Sequence, residues 1–123
     1  MASGKSLIGK VEGYSVEFEA VKERVLVEFE GSLVVDSDNA LRVLETAHDP
    51  VLYFPREDVA MEFLQRTDHS SFCPFKGDAS YWSLCAGGVT SENAVWSYED
   101  PFEEVDALRN YVAFYPDRVS GLA

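Results

Sequence analysis

The stretch Ala79-Ser80-Tyr81-Trp82-Ser83-Leu84-Cys85-Ala86-Gly87-Gly88-Val89-Thr90-Ser91-Glu92-Asn93-Ala94-Val95-Trp96-Ser97-Tyr98 decides the fold class. Ala79, Tyr81, Ser83 and Cys85 alternate with Ser80, Trp82 and Leu84, the period of two that a pleated strand imposes on its side chains. Gly87-Gly88 supplies the left-handed backbone of a tight turn, and Ala94 to Tyr98 returns the chain as a second strand. The pattern predicts an aromatic-rich β-hairpin. Alternation sets Tyr81 on the face opposite Trp82, and Trp96 on the same face as Tyr98.

Upstream, Tyr14, Val16 and Phe18 alternate with Ser15, Glu17 and Glu19, and Val25, Val27 and Phe29 repeat the pattern. Glu30-Gly31-Ser32 separates the second run from Leu33-Val34-Val35, which indicates another hairpin. Asp36 to Asn39 reads as a turn, Leu41 to Leu44 as a short strand, and Val51 to Phe54 as a β-prone run stopped by Pro55. Pro55 is suited to the first turn of a helix, Glu57 and Asp58 complement its dipole, and Val59/Phe63 and Ala60/Leu64 fall at i, i+4. This predicts a short helix over Arg56 to Gln65. Thr67 to Gly77, polar and punctuated by Pro74 and Gly77, reads as a loop. Downstream, Pro101 to Asn110 holds one or two helical turns, and Tyr111 to Tyr115 is a last strand closed by Pro116. The reading is mainly β with one or two short helices.

At 123 residues, with 46% apolar and 13% aromatic side chains, the chain has enough surface to bury for one core. A single domain over 1–123 is expected, with 1–12 as a loose N-terminal end that lacks the apolar core of a signal peptide. Ten basic residues face twenty-two acidic ones, net −12, a balance that repels phosphate backbones and anionic lipid. Neither nucleic acid nor a membrane is expected as partner, and no run is long enough to span a bilayer. Cys73 and Cys85 are the only cysteines and form no C-x-x-C pair, which points away from zinc knuckles and disulfide scaffolds. The expectation is a cytoplasmic protein with no metal and no cofactor. Oligomeric state has no signal in the sequence.

In order along the chain stand Asp36-Ser37, Glu45, Tyr53-Phe54-Pro55-Arg56-Glu57-Asp58-Val59, Cys73-Pro74-Phe75-Lys76-Gly77, Tyr81-Trp82, Trp96-Ser97-Tyr98 and Val112-Ala113-Phe114-Tyr115. That order and spacing resembles the family called domain of unknown function 427, over about 25–119. The resemblance implies a small domain of two β-sheets meeting at an angle like a tent, an architecture shared with zinc-bearing and ligand-binding modules. The knuckles of the zinc modules have no counterpart here. The family also carries a nucleotidyltransferase-like label. Enzymes of the polymerase-β type hold phosphate on a Gly-Ser at a helix start and magnesium on a following Asp-x-Asp. Gly31-Ser32 and Asp36-Ser37-Asp38 look like these superficially. Only Leu33, Val34 and Val35 lie between them, too few for the helix, so a pair of hairpin turns is the plainer reading.

Three constellations bear chemistry. A lysine three positions from a thiol favours the thiolate, so Lys76 would make Cys73 a nucleophile. The alternative is Cys73 as a small packed hydrophobe and Lys76 in an ion pair. Glu45, Asp58 and Lys76 fall on connections at one end of the sheets, where they would either do acid–base work or form a buried structural network. Tyr53, Tyr81, Trp82, Trp96, Tyr98, Phe114 and Tyr115 are dense for this length; one set fills the core, and the other lines a concavity suited to a planar or cationic ligand. His48 and His69 show no ligand spacing and read as surface residues.

The function expected is binding of a small polar or planar ligand by Glu45, Tyr53, Asp58, Lys76, Tyr81, Trp96 and Tyr98. The alternative is a hydrolase or a nucleotidyl or other transferase, with catalytic candidates Asp58, Glu45, Lys76 and Cys73. A module that adds a partner strand at an open sheet edge is a third reading that no feature singles out.

Overall fold

A computed structural model describes Ser6 and residues 8–122. Among these residues nine strands follow one another: β1 (Val16–Val21), β2 (Val25–Phe29), β3 (Ser32–Ser37), β4 (Ala40–Glu45), β5 (Val51–Pro55), β6 (Leu64–Cys73), β7 (Gly77–Ala86), β8 (Val89–Ser97) and β9 (Tyr111–Phe114). Seven form one antiparallel sheet in the order β1-β4-β5-β9-β8-β7-β6, and β2-β3 forms a separate two-stranded sheet. The mainly β reading holds, and among the described residues the helical content consists only of 3-10 turns. Among the described residues no helix is long and apolar enough to cross a membrane.

The pleat of the large sheet sorts its side chains into two cores. On one face Phe54, Leu84, Val95, Val112 and Phe114 pack against Val27, Phe29, Val34 and Val35 of the small sheet. Phe54 and Phe114 meet edge to face at 6.1 Å, and burying each contributes roughly 1.5–3 kcal/mol. The other face carries Val43, Tyr53, Ala79, Tyr81 and Ala113, partly covered by Phe102, Val105 and Leu108 from the segment after β8. Tyr81 and Trp82 fall in different cores, as the alternation predicts. The β7–β8 hairpin turns at Gly87 (φ 58°) and Gly88 (φ 75°), two left-handed residues in succession.

Two expectations need correction. The helix over Arg56 to Gln65 is instead a pair of single 3-10 turns, Arg56–Asp58 and Met61–Phe63, with Val59 extended between them at φ −109°, ψ 132°. Val59 bridges Val35 of β3, and the Ala60 N–H donates to Val34 O at 2.8 Å. Burial of the β-branched Val59 side chain and pairing of its backbone with β3 outweigh the i, i+4 pattern. The loop over Thr67 to Gly77 is mostly β6, with only Pro74 to Lys76 turning. Strand β6 is an edge, paired on one side to β7 and largely exposed, so it has little need of apolar alternation. A register shift between Arg66 and Ser70 further blurs its period.

Of the N-terminal end, residues 1–5 and 7 lie outside the described residues. Ser6 is buried, and its hydroxyl donates to Phe75 O at 2.7 Å.

Candidate functional site

Strand register builds the site. Leu41 on β4 stands opposite Tyr53 on β5, Tyr53 opposite Ala113 on β9, Ala113 opposite Trp96 on β8, and Trp96 opposite Tyr81 on β7. Cross-strand partners share a face, so the rings form one row, with Ala113 leaving room between Tyr53 and Trp96. Trp96 Nε1 donates to the Tyr53 hydroxyl at 3.1 Å across that gap, with the rings edge to face at 6.2 Å. Tyr98, two residues beyond Trp96, extends the same face.

The turn after β6 brings a cation to this row. The Lys76 N–H returns to Cys73 O at 3.2 Å, and Lys76 O accepts from the Phe102 N–H at 3.0 Å, which pins the backbone on both sides. The Lys76 ammonium donates to Glu45 Oε1 at the end of β4, and the Tyr14 hydroxyl donates to Glu45 Oε2. Tyr14 is held by stacking on Phe75, 3.8 Å between centroids at 11°. Both members of the ion pair have side chains 9% exposed. Lys76 Nζ also lies 3.8 Å from Cys73 Sγ and 5.8 Å from the Tyr98 ring centre.

Glu45, Tyr53, Lys76, Tyr81, Trp96 and Tyr98 all line one hollow of about 470 Å3, within the size range of small-molecule sites. Cys73 lines it too. Asp58 does not: its carboxylate accepts from the Ser37 hydroxyl at 2.6 Å, beside the small sheet. Of the seven ligand-binding candidates read from the sequence, the structure brings six together in this hollow and places Asp58 elsewhere.

Burial is the main force on the tyrosines. It pushes the hydroxyl of Tyr53 far above its ordinary value, against the smaller opposing effect of the bond from Trp96. It does the same to Tyr98, where negative charge on Tyr53, Cys73, Tyr81 or Glu45 would add to the effect. Both phenols are hydrogen-bond donors at any physiological pH. Tyr115 is also raised, first by burial and then by its hydrogen bond with Tyr81.

Five lining or supporting residues were not assigned to the site from the sequence. Tyr115 lies over Trp96 with ring centres 4.5 Å apart; its position two residues after Ala113 carried the signal. Tyr14 heads the run with Val16, and Val16 stands opposite Glu45, but only that register reveals the contact. His48 and Asp49 form the rim, with His48 Nε2 3.9 Å from Glu45 Oε2 and the His48 side chain 62% exposed. His69 packs its ring against Tyr81 at 4.4 Å.

Among the described residues no group of three or more His, Cys, Asp or Glu side chains could hold a metal ion. Asp36 is engaged by Arg24 through two bonds of 2.8 and 2.7 Å, Gly31 sits in the Glu30-Gly31 turn between β2 and β3, and Ser32 opens β3 paired to Phe29. A larger hollow of about 690 Å3 lies between Asn39, Arg56 and Arg109. Its arginines are already committed, Arg56 to Glu99 at 3.1 Å and Arg109 to Asp100 and Asp106 at 3.2 and 2.9 Å.

The family model described as a domain of unknown function, DUF427, and labelled NTP_transf_9 matches residues 17–123. No curated protein matches the chain.

Proposed function

The chain belongs to the domain of unknown function 427 family, and from that premise we propose that it is a binding domain for a small polar or planar ligand held in the aromatic hollow. The observation that carries this reading is the buried Lys76–Glu45 pair standing on the wall of a 470 Å3 hollow faced by Tyr53, Trp96 and Tyr98. A buried ion pair contributes little net stability compared with apolar packing, so its place on the wall of a hollow beside the half-buried Trp96 favours recognition over architecture. Rings with polar tips stack on a flat ligand while their hydroxyls orient it. Asp58 has no part in this reading.

Titrating a fragment library while following tryptophan emission tests the proposal. Trp96 is half-buried at the hollow and Trp82 is buried in the other core, so ligand-dependent quenching should disappear in Trp96→Phe. Uniform silence across the library would sink the reading.

A second reading is favoured by one contact, the 3.8 Å approach of Lys76 Nζ to Cys73 Sγ. In a hydrolase or transferase, Cys73 would attack, Lys76 would stabilise the developing charge, and Glu45 would serve as acid or base. If Cys73 reacts with iodoacetamide no faster than a free thiol at neutral pH, the nucleophile is lost and this reading with it.

A further inference from the structure

We infer that the aromatic hollow selects a flat, uncharged molecule that presents hydrogen-bond acceptors, such as a bicyclic lactam carbonyl, over cations or anions of the same size. The inference rests on the binding reading above and follows from a count of donors and acceptors on the wall.

On the inner wall the acceptors are largely taken, and those of His48 and Asp49 lie at the exposed rim. Glu45 Oε1 holds Lys76 and Oε2 holds Tyr14. Cys73 Sγ faces Lys76, and the Tyr81 hydroxyl is shared with Ser71 at 2.8 Å. The Tyr53 oxygen already accepts from Trp96 Nε1. The donors are in surplus. Tyr53 keeps its own hydroxyl proton with no acceptor among the described residues, and the Tyr98 hydroxyl makes no hydrogen bond among them. An ammonium has three N–H donors, and Lys76 spends one on Glu45 and one on the long contact to Cys73. A ligand that supplies acceptors satisfies these groups, and one that supplies only donors does not.

Charge selects in the same direction. Lys76 and Glu45 neutralise each other on the inner wall, and the other charged or titratable lining groups, His48 and Asp49, stand exposed at the rim in contact with solvent, so the interior offers no spare counter-ion for an ionic ligand. A cation would lie close to the Lys76 ammonium, an anion would lie close to Glu45 in a chain of net charge −12, and each would lose its hydration on entry. A neutral ring avoids both costs and stacks on Trp96 and Tyr98.

Three bicyclic probes of matched size decide the matter: isoquinolin-1-one, the N-methylquinolinium cation and quinoline-2-carboxylate. Each is titrated into the 15N-labelled protein while the Trp96 indole Nε1–H resonance is followed. The neutral lactam is expected to bind at least about tenfold tighter than either ion, and Tyr98→Phe to weaken it by about tenfold, the loss of one hydrogen bond. Equal or tighter binding of either ion overturns the ligand class and leaves the binding reading standing. Unchanged lactam affinity in Tyr98→Phe overturns the donor argument. Failure of all three probes to move the Trp96 resonance overturns this inference, and silence of the whole library then removes the binding reading as well.

Discussion

Lys76 and Glu45, thirty-one positions apart, meet as a buried ion pair whose carboxylate is held on its other oxygen by Tyr14. The pair joins the turn after β6 to the end of β4, two elements that are not neighbours in the sheet. It therefore fixes the width of the hollow between them.

Removing one partner strands the other without compensation. Lys76→Met is expected to destabilise the fold by about 3–5 kcal/mol, because it leaves the Glu45 carboxyl buried without its partner. The double variant Glu45→Gln/Lys76→Met should recover most of that loss. Urea midpoints for the two variants check this, and a double variant as unstable as the single one contradicts it.

Tyr53 and Tyr98 should not ionise in the native protein when exposed tyrosines do. Their native-state values lie above the ordinary 10.0. Above that pH the unfolded chain releases protons that the folded chain retains, so their contribution to stability is complete below pH 10.0 and declines as pH rises past it. Absorbance titration at the phenolate band should leave two of the six tyrosines silent until alkaline unfolding. Replacing both with Phe should flatten the alkaline fall in stability.

Glu99 governs the acid side. Burial opposes its charge, but bonds from Arg66 and Arg56 outweigh that and hold the carboxyl below its ordinary 4.5. Its contribution is therefore present above that pH and is lost as pH falls through the native value. The same arginines lie over Trp82 at 5.2 and 5.1 Å. Glu99→Gln should lessen the acid dependence of stability below pH 4.5 and alter the Trp82 near-ultraviolet circular dichroism; an unchanged acid limb counts against the assignment.

Gly121 closes the C-terminal segment onto β2. Its φ is +106°, and a Cβ there would stand 2.2 Å from Leu26 O. The adjoining Ser120 and Glu28 exchange two backbone bonds of 2.9 and 3.0 Å. Gly121→Ala should break that pairing, at a cost of about 1–3 kcal/mol. Amide exchange at Ser120 and Glu28 should quicken while β7 and β8 remain protected.

Most strands were legible because alternation is written locally: a pleat exposes side chains to opposite faces wherever the residues lie in the chain. That is why Tyr81, Trp82, Trp96 and Tyr98 could be sorted by face from the sequence. Strand β6 escaped because an exposed edge imposes no apolar period, and the Arg56 to Gln65 helix was misread because the pairing of Val59 with Val35 is a contact between distant segments.

The sequence by itself thus determined the fold class, the two hairpins about Gly31 and Gly87-Gly88, the facing of the aromatic rings and the excess of negative charge. The tertiary structure alone decided which charges meet. Lys76 pairs with Glu45, and Asp58 instead binds Ser37 near the small sheet. Those partnerships depend on strand order and on where the turn after β6 lands. Both are set by burial of two separate cores through long-range packing, which no local spacing encodes.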